Sequence, residues 1–306
     1  MAEGYNFGAD GPYFRGQSML PSMYPPDPSG KTFFMDLNIR SSGDGSSWDE
    51  AYSTVAAALA AADTQIGLSA NRAWAKRNTV YFCGDGIAEA LVLASEKTDL
   101  IGVGTDVGSF PKITGNFTIG TAVSGFRVFN AGFVPTTTAP VITFPAGMHG
   151  WELHGCHLYK VEGVTNTAQL LSTDCRDWFL NNSFIYPDAG AAKSTIGFNV
   201  AGTAAGMGRA RIRDSLIVGT EAFNVVDTSA YYEGATCKRT TFIATALCID
   251  DNSDTMAFID CRLISATNSG NGAGSTIVDW NAALCCGNEA TSLNHNGALP
   301  VLSAHA

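Results

Sequence analysis

The sequence predicts an all-β fold: a single right-handed parallel β-helix (a solenoid of short stacked strands) with an N-terminal amphipathic capping helix. Three observations lead to this prediction. The composition suits a solenoid with many turns, because the chain has 33 glycines in 306 residues and only 15% charged residues. From residue 78 onward, short apolar segments alternate with turn residues. One of these segments recurs along the chain at intervals that suit a solenoid coil.

The recurring segment has an apolar first residue, a small fourth residue and an apolar sixth residue. Its third residue is mostly Asn, Asp or Gly, residue types that tolerate the left-handed backbone of a bend. We therefore expect the first, fourth and sixth side chains to stack in three core columns. The copies are VFNAGF (128–133), LHGCHL (153–158), LNNSFI (180–185), IRDSLI (212–217), CKRTTF (237–242) and FIDCRL (258–263).

The chain divides into three predicted parts. Residues 1–31 form an extended arm, residues 32–284 form the β-helix with its capping helix at 47–66, and residues 285–306 form a C-terminal cap or tail. The helix is predicted by apolar residues at steps of three and four and by a Ser-x-x-Glu capping box at its start. We expect the helix to cover the open end of the solenoid, and the tail to cover the free edge of the last coil.

The arm has no periodic pattern, and the tandem prolines Pro25-Pro26 exclude a helix there. It is nevertheless too apolar for a solvated linker. Two interpretations stay open: the arm packs on its own domain, or it attaches to a neighbouring subunit or a larger particle. The residues that would make the attachment are Tyr5, Phe7, Tyr13, Phe14, Met19 and Tyr24.

The eight cysteines form no CxxC pair and are interpreted as mostly free, buried thiols. Cys156 and Cys261 occupy the small fourth column of the repeat, and Cys237 occupies the apolar first column. A packing role is therefore expected for these three. Trp151 and Trp178 occupy equivalent repeat positions and are predicted to lie in the core.

The segments MDLNIRSSGDGSSWDEAYSTVAAALAAA (35–62), NTVYFCGDG (78–86) and TDLIGVGTD (98–106) resemble the pectate-lyase-like (pectin lyase fold) superfamily of parallel β-helices. In that family a first strand, a Gly-Asp-Gly turn and a Ser-Trp helix precede the first coils. The resemblance implies the fold, which the family uses for lyases, hydrolases, phage tailspikes and non-catalytic virion proteins. Phage-encoded virion proteins are the members that the chain resembles most.

Charge and apolar length exclude several classes of protein. A net charge of −10 argues against a nucleic-acid binder, which needs Lys and Arg against phosphate. No stretch reaches the apolar length of a membrane span. The residues after Met1 lack the basic start and apolar run of a signal peptide, so synthesis in the host cytoplasm is expected.

Candidate catalytic residues are Asp174, Asp227 and Asp250, which follow apolar strands at similar offsets. On adjacent coils, two such carboxylates would approach the separation of about 5 Å that suits a retaining glycosidase. Clustered carboxylates would also suit calcium, and solvated turn residues are the plainer interpretation. No metal site and no cofactor are predicted, because the repeat turns Cys156 inward and His154 and His157 outward.

Candidate binding residues are basic and aromatic. Arg209, Arg211 and Arg213 alternate, so they are expected on one outward face, where they would bind a sugar carboxylate or a neighbouring subunit. Local pairing with Asp214 or Glu221 is the alternative. Outward aromatic rings would stack on sugars or pack between the subunits of a homotrimer. These rings are Phe129, Tyr159, Phe179, Phe184 and Tyr186.

The function predicted from these features is that of a non-enzymatic phage virion surface protein. It would decorate the head or belong to a fibre or tail, where it would stabilise the capsid or adhere to host-surface glycans. The arm would contact other virion proteins. The alternative is a tailspike-type polysaccharide lyase or glycoside hydrolase that acts on bacterial surface polysaccharide. A carbohydrate-binding module without catalysis is a third interpretation.

Overall fold

The computed structural model describes residues 13–14, 17–18, 30–67, 77–86, 89, 91–93, 96–104, 110–120, 124–159, 161, 165–185, 195–202, 209–226, 235–251, 257–265, 268–272, 284–287 and 293–295. Within these residues the chain folds into a parallel β-solenoid with one α-helix. The predicted fold class, a parallel β-helix, is confirmed. No helix in the described residues combines the length and apolar character needed to cross a membrane.

The single helix, α1, spans Val55–Gly67 and lies between the third and fourth strands. The strands in chain order are β1 (Tyr13–Phe14), β2 (Gln17–Ser18), β3 (Thr32–Asp36), β4 (Asn78–Cys83), β5 (Leu91–Leu93), β6 (Thr98–Gly102), β7 (Lys112–Thr114), β8 (Phe117–Ile119), β9 (Arg127–Phe129), β10 (Gly132–Val134), β11 (Ile142–Phe144), β12 (Glu152–His154), β13 (His157–Leu158), β14 (Ala168–Thr173), β15 (Phe179–Asn181), β16 (Phe184–Ile185), β17 (Ile196–Ala201), β18 (Arg211–Arg213), β19 (Leu216–Val225), β20 (Thr236–Lys238), β21 (Thr241–Asp251), β22 (Ala257–Ile259), β23 (Arg262–Ser265), β24 (Asn268–Gly272), β25 (Leu284–Gly287) and β26 (Leu293–His295).

The strands stack in three parallel sheets along the solenoid. Sheet A contains β3, β4, β6, β9, β12, β15, β18, β20 and β22, in that order. Sheet B runs from β7 through β10, β13 and β16 to β23 and β25, and sheet C runs from β5 through β8, β11, β14 and β17 to β24 and β26. The long strands β19 and β21 belong to both sheets, because their first residues pair in sheet B and their last residues pair in sheet C.

The three predicted core columns are confirmed. Every residue of the first, fourth and sixth columns in the six repeat copies is buried, from Val128 to Leu263. The third residue of every copy has a positive φ between 46° and 60°, which turns the chain sharply from sheet A into sheet B. These bend residues are Asn130, Gly155, Asn182, Asp214, Arg239 and Asp260.

The core is rich in aromatic rings and buried thiols. Trp151 and Trp178 are buried and stack with ring centroids 5.0 Å apart, as their equivalent repeat positions predict. The six cysteines whose side chains are described are free thiols, five of them buried. Burial raises the pKa of the Cys156 thiol to about 12 and that of Cys175 to about 11, so both stay protonated packing groups.

The helix begins at Val55 rather than at Ser47, so the predicted start was wrong. Ser47 does accept a hydrogen bond from the Glu50 amide, at 3.2 Å, but this bond closes a turn. The following residues pair with the edge of β3, where the Tyr52 amide donates to the carbonyl of Phe34. Backbone pairing therefore takes this segment out of the helix and covers the edge of sheet A.

The N-terminus of the helix is held by two other side chains. The Ala57 amide donates to the Thr54 hydroxyl at 3.2 Å, which makes Thr54 the N-cap. The Glu89 carboxylate accepts hydrogen bonds from the amides of Val55 and Ala56, at 3.0 and 3.2 Å. A negative charge at this end of a helix is favourable.

The helix packs its apolar stripe on the first strands of sheet A. Val55, Ala58, Leu59 and Ala62 share one buried cluster with side chains of β3 and β4. That the helix closes the end of the solenoid stays a prediction.

Strand pairing also continues beyond the predicted boundary at residue 284, because β25 extends sheet B and β26 extends sheet C.

Within the arm, β1 and β2 pair as an antiparallel hairpin. The attachment role of the arm stays a prediction. Tyr5, Phe7, Met19 and Tyr24 lie outside the described residues, and Tyr13 and Phe14 form β1.

Candidate functional site

The outer face of sheet A carries two rows of side chains that run along the solenoid. Alternate residues of a strand point to opposite faces, so the residues that flank the first core column point outward. Row 1 contains Asp99, Arg127, Glu152, Phe179, Arg211 and Thr236, each paired in register with the next. Row 2 contains Ile101, Phe129, His154, Asn181, Arg213 and Lys238.

The N-terminal part of row 1 is a charged cluster. The Asp99 carboxylate is buried and receives two hydrogen bonds from Arg127 and one from Arg77, all at 2.7 Å. A buried carboxylate needs such partners because desolvation penalises its charged form. The two guanidinium groups thus stabilise the buried carboxylate and tie the neighbouring strands together.

His154 connects the two rows. Its Nε2 lies 2.6 Å from Oε2 of Glu152, and its Nδ1 lies 3.4 Å from the Asn181 amide nitrogen. The ring stacks on Phe129, with centroids 4.8 Å apart, and meets the edge of Phe179. Nε2–H donates a hydrogen bond to the Glu152 carboxylate, and Nδ1 faces the Asn181 side-chain amide. His154 is therefore a positioned ring whose two nitrogens are both engaged.

The Glu152 carboxylate is held in its charged form. Burial acts to raise its pKa, but the hydrogen bond and charge of His154 act against burial, together with the charges of Arg127 and Arg77. The net result is a lowered pKa. At neutral pH Glu152 is a fixed negative charge and a hydrogen-bond acceptor.

Beside Glu152 lies an open depression of about 380 Å³, which is the candidate binding site. The exposed Arg209 and Asp177 form an ion pair at 2.6 Å. Arg211 is exposed and has no carboxylate partner within 4.0 Å among the described residues. The lining residues are Glu152, Asp177, Trp178, Phe179, Arg209 and Arg211.

The three predicted arginines lie near one another but differ in environment. Arg209 precedes β18 with φ 61° and pairs with Asp177, rather than with the expected Asp214 or Glu221. Arg211 lies in the depression. Arg213 is half-buried, with its guanidinium carbon 5.9 Å from the centroid of the Phe179 ring.

The predicted aromatic residues divide between two faces. Phe179 lines the depression, whereas Phe129 is only 5% exposed because His154 and the guanidinium of Arg127 cover its ring. The expectation that Phe129 is an exposed ring was therefore wrong.

Tyr159 and Phe184 lie on the outer face of sheet B instead. Both contact the ring of His157, with centroids 5.1 and 4.8 Å away, and the Tyr159 hydroxyl lies 3.1 Å from its Nδ1. Phe184 is 37% exposed. Tyr186 lies outside the described residues.

The candidate aspartates do not form one row in the described part of the chain. Asp174 is a bend residue that follows β14, with φ 45°. Asp250 lies within β21 and pairs in register with Asn224 and Asn271, whereas Asp227 lies outside the described residues. Asp174 and Asp250 thus belong to different rows and different coils.

No group of three or more His, Cys, Asp or Glu side chains in the described residues is arranged to hold a metal ion. Asp250 instead belongs to an amide-rich row on sheet C. This row contains Asn199, Asn224 and Asp250.

Sequence reasoning missed Glu152 and Asp177. A usable signal was present for Glu152 but not for Asp177, because the residue before each copy of the repeat is the row 1 position. Those residues are Arg127, Glu152, Phe179, Arg211, Thr236 and Ala257. A charged and aromatic set at one column of an otherwise apolar repeat indicates an exposed, chemically distinct face.

Fold and face together define a parallel β-solenoid whose first sheet carries a charged and aromatic outer surface. No protein-family model, curated protein or solved structure matches the chain significantly.

Proposed function

We propose that this protein is a non-enzymatic surface protein that binds an acidic polysaccharide on the outer face of sheet A. The proposal is supported by the position of Arg211, an exposed cation beside the Phe179 ring in the depression. A guanidinium group binds a carboxylate through two parallel hydrogen bonds. An aromatic ring next to it offers a flat apolar surface to the face of a sugar ring.

The repeat suits a polymeric ligand. Glu152, Phe179 and Arg211 follow one another on three successive strands of sheet A, which are about 4.8 Å apart. A chain lying along the solenoid would meet an acceptor, a ring and a cation in turn. An acidic sugar supplies the matching hydroxyl donors, apolar ring face and carboxylate.

The carboxylates of this face favour binding over glycoside hydrolysis. A general acid in such a reaction needs a raised pKa, whereas the pKa of Glu152 is lowered. Asp177 is committed to its ion pair with Arg209. Both groups act as fixed charges that orient a ligand.

We also propose the setting that the sequence predicts. The chain would be a phage-encoded member of the pectate-lyase-like superfamily, displayed on a virion as a homotrimer and attached through residues 1–31. The supporting observations are the resemblance of residues 35–106 and the apolar arm. Deletion of residues 1–29 is expected to abolish attachment to the parent particle and to leave the solenoid folded. Attachment that survives the deletion would overturn this setting.

Binding is tested by calorimetry with alginate and hyaluronan as acidic probes and dextran as a neutral one. We expect the acidic polymers to bind and Arg211→Gln to weaken binding about tenfold to hundredfold, since hydrogen bonds to a charged group are lost. Arg239→Gln is the matched control, because Arg239 is an exposed arginine that pairs with Asp214 outside the depression.

Two outcomes would contradict the proposal. If the wild type and Arg211→Gln bound the acidic polymers equally well, the depression would not be the ligand site. New chain ends released from alginate or hyaluronan by the folded protein would show catalysis. The carboxylates of this face would then be the candidate catalytic groups.

A further inference from the structure

Two thiols on successive coils of the core lie in direct contact. Sγ of Cys261 is 3.6 Å from Sγ of Cys237, and both residues are buried. Cys237 belongs to β20, and Cys261 follows β22, the next strand of sheet A.

The repeat shows that this contact is specific to these coils. Cys156 occupies the same small column as Cys261, and its sulfur lies 3.6 Å from the carbonyl of Val128. The sulfur of Cys261 makes the equivalent contact with the carbonyl of Cys237, at 3.7 Å. The two sites are therefore matched, except that Cys237 stands where the earlier coil has Val128.

Cys237 is also small for its column. The other residues of the first column are larger apolar side chains, and shortening a core side chain loses packing unless a neighbour fills the space. The Cys261 sulfur lies against the Cys237 sulfur and fills the space that the short Cys237 side chain leaves. The one exception in the first column, Cys237, is thus in contact with a cysteine of the fourth column on the next coil.

We propose that Cys237 and Cys261 form a redox-sensitive site, in which oxidation joins two successive coils of the solenoid by a disulfide. The sulfurs need to approach from 3.6 Å to about 2.0 Å, which requires rotation of the side chains. The site is independent of the proposed polysaccharide binding.

The chemistry is a two-electron oxidation by an azodicarbonyl or disulfide oxidant. With diamide, one sulfur attacks the N=N bond as its thiolate, and the second sulfur then displaces the nitrogen. An S–S bond forms, two S–H bonds are lost, and the azo group is reduced to a hydrazine that takes up both protons. Burial raises the pKa of the Cys237 thiol, so the reaction is slow in the closed core.

The test uses the full-length protein, treated with diamide in its native state and also during refolding, where access to the thiols is not limiting. Intact mass and non-reducing peptide mapping are the readouts. We expect a loss of about 2 Da for each disulfide formed and a linked peptide pair containing residues 237 and 261. The thermal unfolding midpoint should rise on oxidation and return on reduction.

Cys237→Val is the matched variant, because it reproduces the Val128 and Cys156 arrangement that the fold already contains. The linked peptide and the stabilisation should both disappear in this variant, while Cys156 stays reduced in the wild type. Absence of the 237–261 link in refolded wild-type protein would overturn the proposal. An equal rise in midpoint for oxidised Cys237→Val would overturn it as well.

Discussion

Arg127 binds the buried carboxylate of Asp99 through two hydrogen bonds of 2.7 Å that cross from one strand of sheet A to the next. Arg77 adds a third hydrogen bond from the side. Asp99 and Arg127 are adjacent members of row 1, so the face that carries the candidate depression begins with a cluster of paired charges.

Removal of the Asp99 carboxylate is expected to destabilise the solenoid strongly. Asp99→Ala leaves Arg127 and Arg77 partly buried without their partner, a change that costs about 3–5 kcal/mol when a buried pair is broken. Urea unfolding followed by circular dichroism measures the loss. Asp214→Asn, which removes the charge of the exposed pair with Arg239 and suits the left-handed bend at residue 214, should have a much smaller effect, because solvent screens that pair. Equal losses for both variants would contradict the buried pairing.

The start of the helix is tested by two hydroxyl substitutions. Thr54→Ala removes the N-cap and should lower the free energy of unfolding by about 1 kcal/mol. Ser47→Ala should have a clearly smaller effect, because Ser47 only closes an exposed turn ahead of the helix. If Ser47→Ala lowered the free energy of unfolding more than Thr54→Ala did, in thermal or urea unfolding, the helix would start at Ser47, as the sequence pattern predicts.

The bend after each strand of sheet A is tested at Asn182, whose φ is 46°. Asn182→Val should cost about 1–2 kcal/mol, because a β-branched residue is strained in left-handed backbone. Asn182→Gly is the control, and it should unfold close to the wild type. If valine were tolerated as well as glycine, the left-handed bend would not be a constraint on this repeat.

The charge on Glu152 predicts a pH dependence of stability. Its pKa is lower in the folded protein than the 4.5 of an unperturbed glutamate. Its contribution is therefore fully present above that value and is lost as the pH falls through the lowered folded pKa. The stability difference between wild type and Glu152→Gln should stay constant from pH 7 down to 4.5 and shrink on further acidification. Urea midpoints at several pH values measure this, and a difference that grows on acidification would contradict the lowered pKa.

The repeat made the fold predictable from the sequence. The pattern at 128–133 and its five later copies correctly indicated the parallel coils, the buried columns and the left-handed bends. The helix start was less predictable, because the capping box at Ser47 is a local signal. Pairing of Tyr52 with Phe34, residues distant in sequence, overrode it.

The candidate site was predicted only in part. Arg211 and Phe179 were identified because charged and aromatic residues stand out on an outward face, whereas Glu152 was missed. Phe129 was expected to be exposed, but His154 and Arg127, which come from its own strand and the next one, cover it. Whether a ring is covered in this way depends on the register between coils, which brings together residues about 25 positions apart in the sequence.

The sequence by itself therefore determined which side chains face inward and where the chain bends, because both follow from a periodic pattern within one coil. Only the tertiary structure decided which outward side chains meet. It paired Arg209 with Asp177, left Arg211 beside Phe179 and brought Cys237 against Cys261. The physical reason is that contacts across coils are set by strand register, and loops of unequal length between the coils hide that register from the sequence.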